Sequence, residues 1–134
     1  MKWLLDTNAC IHILNGTSAP VIARFRACSP LELTLCAIVK AELLYGARKS
    51  RRVAENIAHL DRFFAPLSSL PFDDTCAAEY GILRADLASR GTPIGSNDLM
   101  IAAVARVHDL IVATNNTDEF ARVVGLRVQD WERP

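Results

Sequence analysis

Three acidic residues that lie far apart in the sequence occupy positions that favour metal-dependent chemistry. Asp6 directly follows a short apolar run typical of a buried strand, and Glu42 lies in the helix that follows a second such run. Asp98 lies in the first turn of a helix that leads into a third run. In an open α/β sheet these positions meet at the carboxyl edge of the strands, where such folds bind ligands. Because carboxylates packed together repel one another unless a proton or a cation joins them, the sequence predicts a divalent-metal site and metal-assisted phosphodiester chemistry.

Each of these acids also has a structural interpretation. Asp6 is placed to cap the next helix. Because Thr7 or Asn8 can also cap it, we expect the Asp6 carboxylate to be available for another role. Glu42 can pair with the basic residues that follow it on the same helix, and Asp98 suits the first turn of any helix because of the helix dipole. Only the coincidence of the three positions at one edge favours the functional interpretation.

The composition is that of a small α/β domain. The chain has 134 residues, which we interpret as one domain, 1–134. Hydrophobic residues make up 51%, and Lys+Arg 15 balance Asp+Glu 15, so a nucleic-acid ligand would need a local basic patch. No apolar run approaches the roughly 20 residues of a membrane span, and the four cysteines show no metal-ligand spacing. These features indicate a cytoplasmic protein with reduced thiols.

Short apolar runs alternate with amphipathic segments along the chain. This pattern predicts an α/β fold with three α/β/α layers and a mainly parallel five-stranded sheet. Helix caps are expected at Ser18, at Asp74 or Thr75, and at Ser96. The predicted strands are 2–5, 33–36, 67–70, 110–113 and 126–128, and the main helices are 37–50, 53–64, 74–90 and 96–108.

The loop after the fourth predicted strand offers further polar groups at the same edge. The Thr114 hydroxyl is placed to orient a metal-bound water, and Asp118 or Glu119 to add a fourth carboxylate. The alternative is a helix cap followed by first-turn acids. The three histidines, His12, His59 and His108, lack metal-ligand spacing and are interpreted as structural or surface residues.

Four segments together resemble the PIN domain and, more narrowly, the VapC-type toxins of bacterial toxin–antitoxin pairs. The resemblance extends from Met1 to the Val128–Trp131 end in the order and spacing of that family. Each motif is weak alone, and the four are specific together. They are Leu-Leu-Asp-Thr-Asn at 4–8, Ala-Glu-Leu-Leu-Tyr-Gly-Ala at 41–47, Pro-Ile-Gly-Ser-Asn-Asp-Leu-Met-Ile-Ala-Ala at 93–103 and Thr-Asn-Asn at 114–116.

The resemblance implies that Asp6, Glu42 and Asp98 bind Mg²⁺ or Mn²⁺, with Glu42 acting directly or through water. Thr7, Asn8 and Thr114 would support them. Many members carry a fourth acid near the position of Asn116, which keeps an oxygen ligand without the charge, and Glu119 is expected to contribute more weakly from outside the direct ligands. A metal-activated water would attack the scissile phosphate in line, leaving 5′-phosphate and 3′-hydroxyl ends.

The resemblance also implies an endoribonuclease toxin that cuts structured RNA, with a tRNA anticodon loop as one candidate. Its partners would be an antitoxin whose tail covers the acidic groove and a second copy in a homodimer, giving a toxin–antitoxin hetero-oligomer. Basic residues on two helices are the candidates for holding the RNA backbone, and for any one of them a solvated helix face is the alternative. They are Arg48, Lys49, Arg51, Arg52, Arg84 and Arg90.

Two other classes of function stay open. A catalytically inactive binding module with the same fold is supported by Asn116 alone. A phosphotransferase with Asp6 as nucleophile fits poorly, because haloacid-dehalogenase enzymes place a second Asp where this chain has Asn8, and response regulators need paired acids ahead of the strand that bears the nucleophile.

Overall fold

The computed structural model describes residues 1–133, so that Pro134, the last residue of the expected 1–134 domain, lies outside it. Strands and helices alternate as the apolar pattern predicts. In chain order the elements are β1 (Trp3–Leu5), α1 (Thr7–Asn15), α2 (Ala19–Ala27), a 3-10 turn (Pro30–Glu32), β2 (Leu33–Cys36), α3 (Ala37–Arg48), α4 (Val53–Phe64), β3 (Ser68–Leu70), α5 (Asp74–Ser89), α6 (Ser96–His108), β4 (Ile111–Ala113), α7 (Thr117–Phe120) and β5 (Arg127–Gln129).

The five strands form one parallel sheet in the order β3-β2-β1-β4-β5. The chain moves outward from β1 to β3 and then crosses back to β4 and β5. Because parallel crossovers are right-handed, this reversal places α1–α4 on one face and α5–α7 on the other. The predicted three-layer α/β/α fold is therefore confirmed, and the reversal lies beside β1.

The hydrophobic core lies on both sides of the central strands. All three residues of β1 and all four of β2 are buried, as expected for strands covered on both faces. Every residue of 101–105 in helix α6 is buried, so this helix has little freedom to move relative to the sheet. This rigid centre supports every residue of the site described below.

Two helix starts differ from the sequence prediction. Helix α5 is capped by Asp73, whose carboxylate accepts a hydrogen bond from a first-turn backbone N–H, and not by Asp74 or Thr75. Helix α6 has Gly95 at its cap position without a side-chain bond, and Ser96 is already the first helical residue. Each error is one or two residues, because several adjacent polar residues suit a cap and only the backbone conformation selects among them.

No helix within residues 1–133 combines the length and the apolar character needed to cross a membrane. All four cysteines are free, and Cys10, Cys36 and Cys76 are buried. Burial raises the pKa of each of these thiols, which keeps them protonated and unreactive.

Candidate metal and RNA site

The three acids predicted to converge line one open groove at the carboxyl edge of the sheet, with a volume of about 810 Å³. Asp6 follows the central strand β1, which pairs with β2 on one side and β4 on the other. Glu42 enters from α3 and Asp98 from the first turn of α6. The topology thus brings together carboxylates that are 36 and 56 residues apart in the chain, by their positions 6, 42 and 98.

Asp6 caps helix α1 itself, which corrects the expectation that Thr7 or Asn8 would do so. Its Oδ1 accepts a hydrogen bond of 2.8 Å from the backbone N–H of Ala9. The reason is that Asp6 leaves β1 with extended backbone, the conformation a cap residue needs, whereas Thr7 is already helical. Capping and groove lining are compatible, because a carboxylate has several lone pairs.

Asp6 is only 3% exposed, and this burial is the main reason why its pKa rises from 3.8 to about 6. Hydrogen bonds from the Thr114 side chain and the Ala9 backbone lower the pKa, and the negative charge of Glu42 raises it. The buried Thr114 hydroxyl also accepts a 2.9 Å bond from the Asn116 backbone N–H, which holds it within its own loop.

Asp98 faces Glu119 and Asn116, which come from the loop and helix after β4. The Asn116 side-chain amide donates to Asp98 Oδ2 at 3.1 Å and to Glu119 Oε2 at 3.0 Å. The pKa of Asp98 rises from 3.8 to about 6, first because of burial and then because of Glu119 and Asp6. Glu119 therefore adds a fourth carboxylate beside Asp98, while Asp118 is exposed.

Glu42 is held by a neutral donor from the opposite wall of the groove. The Thr7 hydroxyl donates to Glu42 Oε1 at 2.7 Å, which joins the first turn of α1 to the middle of α3. Asn8 is exposed and lines the same groove. Thr7 thus fixes the orientation of one carboxylate instead of capping the helix.

A shared property of these four carboxylates is the absence of a basic partner. Within residues 1–133 there are five ion pairs, and none includes Asp6, Glu42, Asp98 or Glu119. Buried charges without a partner are destabilising, so a bound cation would relieve their repulsion. Their oxygens are the ligands that Mg²⁺ and Mn²⁺ prefer, and the residues fit such an ion chemically.

Three of the four carboxylates line the groove, and Glu119 lies beside Asp98, but the four do not close on one point. Among the described residues no three acidic, histidine or cysteine side chains converge tightly enough to enclose a metal ion. Two of the four are turned towards their neutral donors, Glu42 to Thr7 and Glu119 to Asn116.

The six basic residues predicted to contact RNA divide into three groups. Only Lys49 lines the acidic groove, where its Nζ lies 5.0 Å from the centre of the Tyr45 ring. Arg84 and Arg90 are engaged elsewhere on α5, Arg84 with Tyr80. Arg90 bonds to Asp86 and to a backbone carbonyl after α7. The other three, at the end of α3 and just beyond it, are the exposed Arg48, Arg51 and Arg52.

The sequence interpretation missed several residues of the groove. Tyr45 is 66% exposed, one turn after Glu42 on the same helix, and its i+3 spacing from an expected ligand was a usable signal. Asn97, which precedes Asp98, also lines the groove. It gave no signal because polar residues are common in the first turn of a helix. The apolar lining had no signal, because such residues look like core; it consists of Ile11, Ile38, Ala41 and Met100.

Comparison with known proteins shows the family. The PIN domain family model matches residues 3–126. The chain is 40% identical to a tRNA(fMet)-specific endonuclease VapC of Shigella flexneri, with 98% of each chain covered. It is 37% identical to Ribonuclease VapC2 of Haemophilus influenzae, again with 98% of each covered.

Solved structures give the same result. The fold matches VapC in a DNA-bound VapBC complex from Salmonella typhimurium with a TM-score of 0.92, 38% identity and 98% of each chain covered. The match to VapBC2 from Rickettsia felis, bound to a DNA fragment from its promoter, has a TM-score of 0.90 and 33% identity and covers 98% of this chain and 99% of the other. The resemblance seen in the four motifs is therefore confirmed, and the chain belongs to the PIN domain family and, within it, to the VapC ribonucleases.

Proposed function

We propose that this ribonuclease depends on Mg²⁺ or Mn²⁺ and hydrolyses a phosphodiester bond of a structured RNA. The observation that carries the proposal is the cluster of four carboxylates with neutral donors and no basic partner. An acidic groove repels RNA unless cations reverse its charge. The site is therefore suited to act on phosphate only when a divalent ion is present.

The ion would be held by Asp6 and Asp98, with Glu42 direct or through water and Glu119 outside the direct ligands. When bound, a divalent ion supplies positive charge to the phosphate and lowers the pKa of a water. The rigid attachment of Asp6 to β1 and of Asp98 to the buried helix α6 fixes the ligand positions. Thr114 orients Asp6 through its hydroxyl. Water attacks phosphorus, the bond to the 3′-oxygen breaks and that oxygen takes a proton, leaving 5′-phosphate and 3′-hydroxyl ends.

Tyr45 and Lys49 would contact the RNA beside the acids. Tyr45 presents a largely exposed ring in the groove, and Lys49 lies over that ring. Unpaired bases stack on aromatic rings, whereas the bases of a duplex are not available for stacking. Lys49 can meet a flanking phosphate. This pair favours an RNA loop over a continuous helix, and the exposed Arg48, Arg51 and Arg52 would add weaker backbone contacts.

A matched pair of residues tests this assignment, because Tyr80 and Arg84 repeat the same i, i+4 arrangement on α5, outside the groove. Tyr45→Ala and Lys49→Ala should raise KM for RNA several-fold, while Arg84→Ala leaves it unchanged. Tyr45→Phe should retain the wild-type KM, since stacking needs the ring alone. Equal effects of Lys49→Ala and Arg84→Ala would contradict the role of the groove pair.

The names of two relatives support a proposal for the substrate class. The Shigella flexneri and Salmonella typhimurium proteins carry the name tRNA(fMet)-specific endonuclease. We propose a tRNA as the substrate here, with the cut in the anticodon loop, where bases are unpaired. The cytoplasm, which contains tRNA, is the matching location.

The deciding experiment is cleavage of total RNA and of individual purified tRNAs by the purified protein. Discrete fragments with 5′-phosphate ends are expected with Mg²⁺ or Mn²⁺, and none with a chelator. Asp98→Asn should abolish cleavage while the fold is retained, and Asp109→Asn, at the other end of the same helix, should cleave normally. Intact RNA with the folded wild type, freed of any partner, would favour the inactive binding module instead.

The proposed partner is an antitoxin, because the similar solved structures are VapBC complexes. Its tail would cover the groove, whose acids suit an arginine and whose apolar wall includes Ile11 and Met100. A second apolar cavity of about 280 Å³ shares Ile11 and Gly46 with the groove and extends it along α4. A peptide from the tail should inhibit cleavage, and replacing its arginine should weaken inhibition at least tenfold.

A homodimer is also proposed, and sedimentation would measure it.

A further inference from the structure

The side chain of Asn116 does not cap helix α7, although its position favours capping. Asn116 occupies the cap position of α7, and asparagine is among the best capping residues because its side-chain oxygen accepts a first-turn N–H. Here no side-chain cap bond forms. The amide group instead donates to one oxygen of Asp98 and one of Glu119. A local preference given up in this way is common at functional sites.

The bridge uses the full donor capacity of the amide. An asparagine NH₂ group has two hydrogens, and each meets a different carboxylate, at 3.1 and 3.0 Å. The bonds take Asp98 Oδ2 and Glu119 Oε2, so one oxygen of each carboxylate stays outside the bridge. The backbone of Asn116 is anchored in turn, because its N–H donates to the buried hydroxyl of Thr114.

We propose that Asn116 is a positioning residue that joins Asp98 and Glu119 in the absence of metal, as a neutral substitute for an ion that would bind Asp98 and reach Glu119 through a bound water. Without it, two negative groups from different elements would separate, and a binding ion would have to draw them together again. The proposal rests on the proposed metal-dependent function, which it extends to the metal-free state. It explains why an amide stands where a further acid would add to the repulsion.

Two substitutions at Asn116 separate the bridge from the charge. Asn116→Ala removes the bridge, and Asn116→Asp removes it and adds a third carboxylate beside Asp98 and Glu119. In chelator both variants should melt below wild type, Asn116→Asp by about 3 to 6 °C and Asn116→Ala by less. Asn115→Asp is the matched control, since it adds the same charge to an exposed neighbour and should melt like wild type.

Titration with Mn²⁺ distinguishes positioning from a general structural role. The deficit of Asn116→Asp should shrink at saturating Mn²⁺, because the ion then joins the carboxylates. A structural defect would persist at any Mn²⁺ concentration and would contradict the proposal, as would an Asn116→Asp variant that melts like Asn115→Asp in chelator. If Mn²⁺ stabilises neither wild type nor variants while both Asn116 variants still melt low, the bridge is upheld and the proposed metal dependence fails.

Discussion

The two ends of helix α6 carry an aspartate each, in opposite electrostatic settings. Asp109, just beyond the carboxyl end, has a 94% exposed side chain that pairs with Arg127 at 2.9 Å. Asp98, in the first turn, is partly buried, has no basic partner and bonds to the neutral amide of Asn116. The difference shows that Asp98 is not an ordinary helix-end acid. Its surroundings disfavour the charge that it must carry to bind a cation.

The same contrast holds for the rest of the chain. Four of the five paired acids have an arginine within 4.0 Å and the fifth, Glu132, has His12, whereas the groove acids and Glu119 have hydroxyl, amide and backbone donors. Neutral donors orient a carboxylate without neutralising it. If the proposed metal-dependent function holds, the groove gives up stability for the ability to bind a metal, a common trade at active sites.

The largest predicted effect is on the pH dependence of metal affinity. Asp6 and Asp98 both have a pKa of about 6, and both must lose a proton to bind the ion. Between pH 7 and pH 5 the affinity for Mn²⁺ should therefore fall by about a hundredfold, ten for each acid. Calorimetric titration at several pH values measures it. An affinity that stays flat down to pH 5 would mean that these acids are not the ligands.

The stability of the metal-free protein depends on pH in the opposite direction to the metal affinity. Both pKa values are raised above 3.8, so the folded state binds more protons than the unfolded state between about pH 4 and pH 6. The unfolding free energy attributable to these groups therefore decreases as the pH rises through that window, and the loss is complete above pH 6. Urea unfolding in chelator, with Asp98→Asn as the comparison, should show a smaller decrease in the variant. Identical pH profiles would contradict the assignment.

An intermediate effect is expected at Asp6, where cap and charge can be separated. Asp6→Asn keeps an oxygen for the Ala9 N–H and removes the buried charge, so in chelator it should be at least as stable as wild type. Asp6→Ala also loses the cap and should be less stable than Asp6→Asn by about 1 kcal/mol or more. Urea unfolding measures both. An alanine variant as stable as the asparagine variant would mean that the cap bond contributes nothing.

The smallest effect is expected at the paired end of α6. Asp109 has a positive φ of 53°, which glycine adopts without strain. Asp109→Gly should change the unfolding free energy by about 1 kcal/mol or less, since an exposed ion pair contributes little and glycine suits the turn. Its Mn²⁺ affinity should equal that of wild type. A loss of affinity would show that the two ends of the helix are coupled.

Much of the fold was predictable because its signals are local. Helix α4 has the predicted bounds, 53–64, and β2 the predicted 33–36, since each is a periodic or continuous apolar run between breakers. Gly16 ends α1 in the left-handed conformation that glycine favours. The convergence of the three acids followed from the alternation of strands and helices alone.

What the sequence did not predict depends on side-chain geometry. The cap at Asp6 required the strand to end in extended backbone, and the Thr7–Glu42 and Asn116–Asp98 bonds join residues 35 and 18 positions apart. Tyr45 looked like any tyrosine on an amphipathic helix until its exposure placed it in the groove. The basic residues could not be ranked, because the sequence does not show that Lys49 lines the groove and Arg84 does not.

The most direct test of the central claim, that the groove acids form a divalent-metal site, is thermal unfolding with Mn²⁺ and with chelator. Wild type should melt at a higher temperature as Mn²⁺ increases, because the ion binds the folded state preferentially. Asp98→Asn should melt above wild type in chelator and gain little from Mn²⁺. Equal melting temperatures for wild type with and without Mn²⁺, or an equal shift in Asp98→Asn, would contradict the claim.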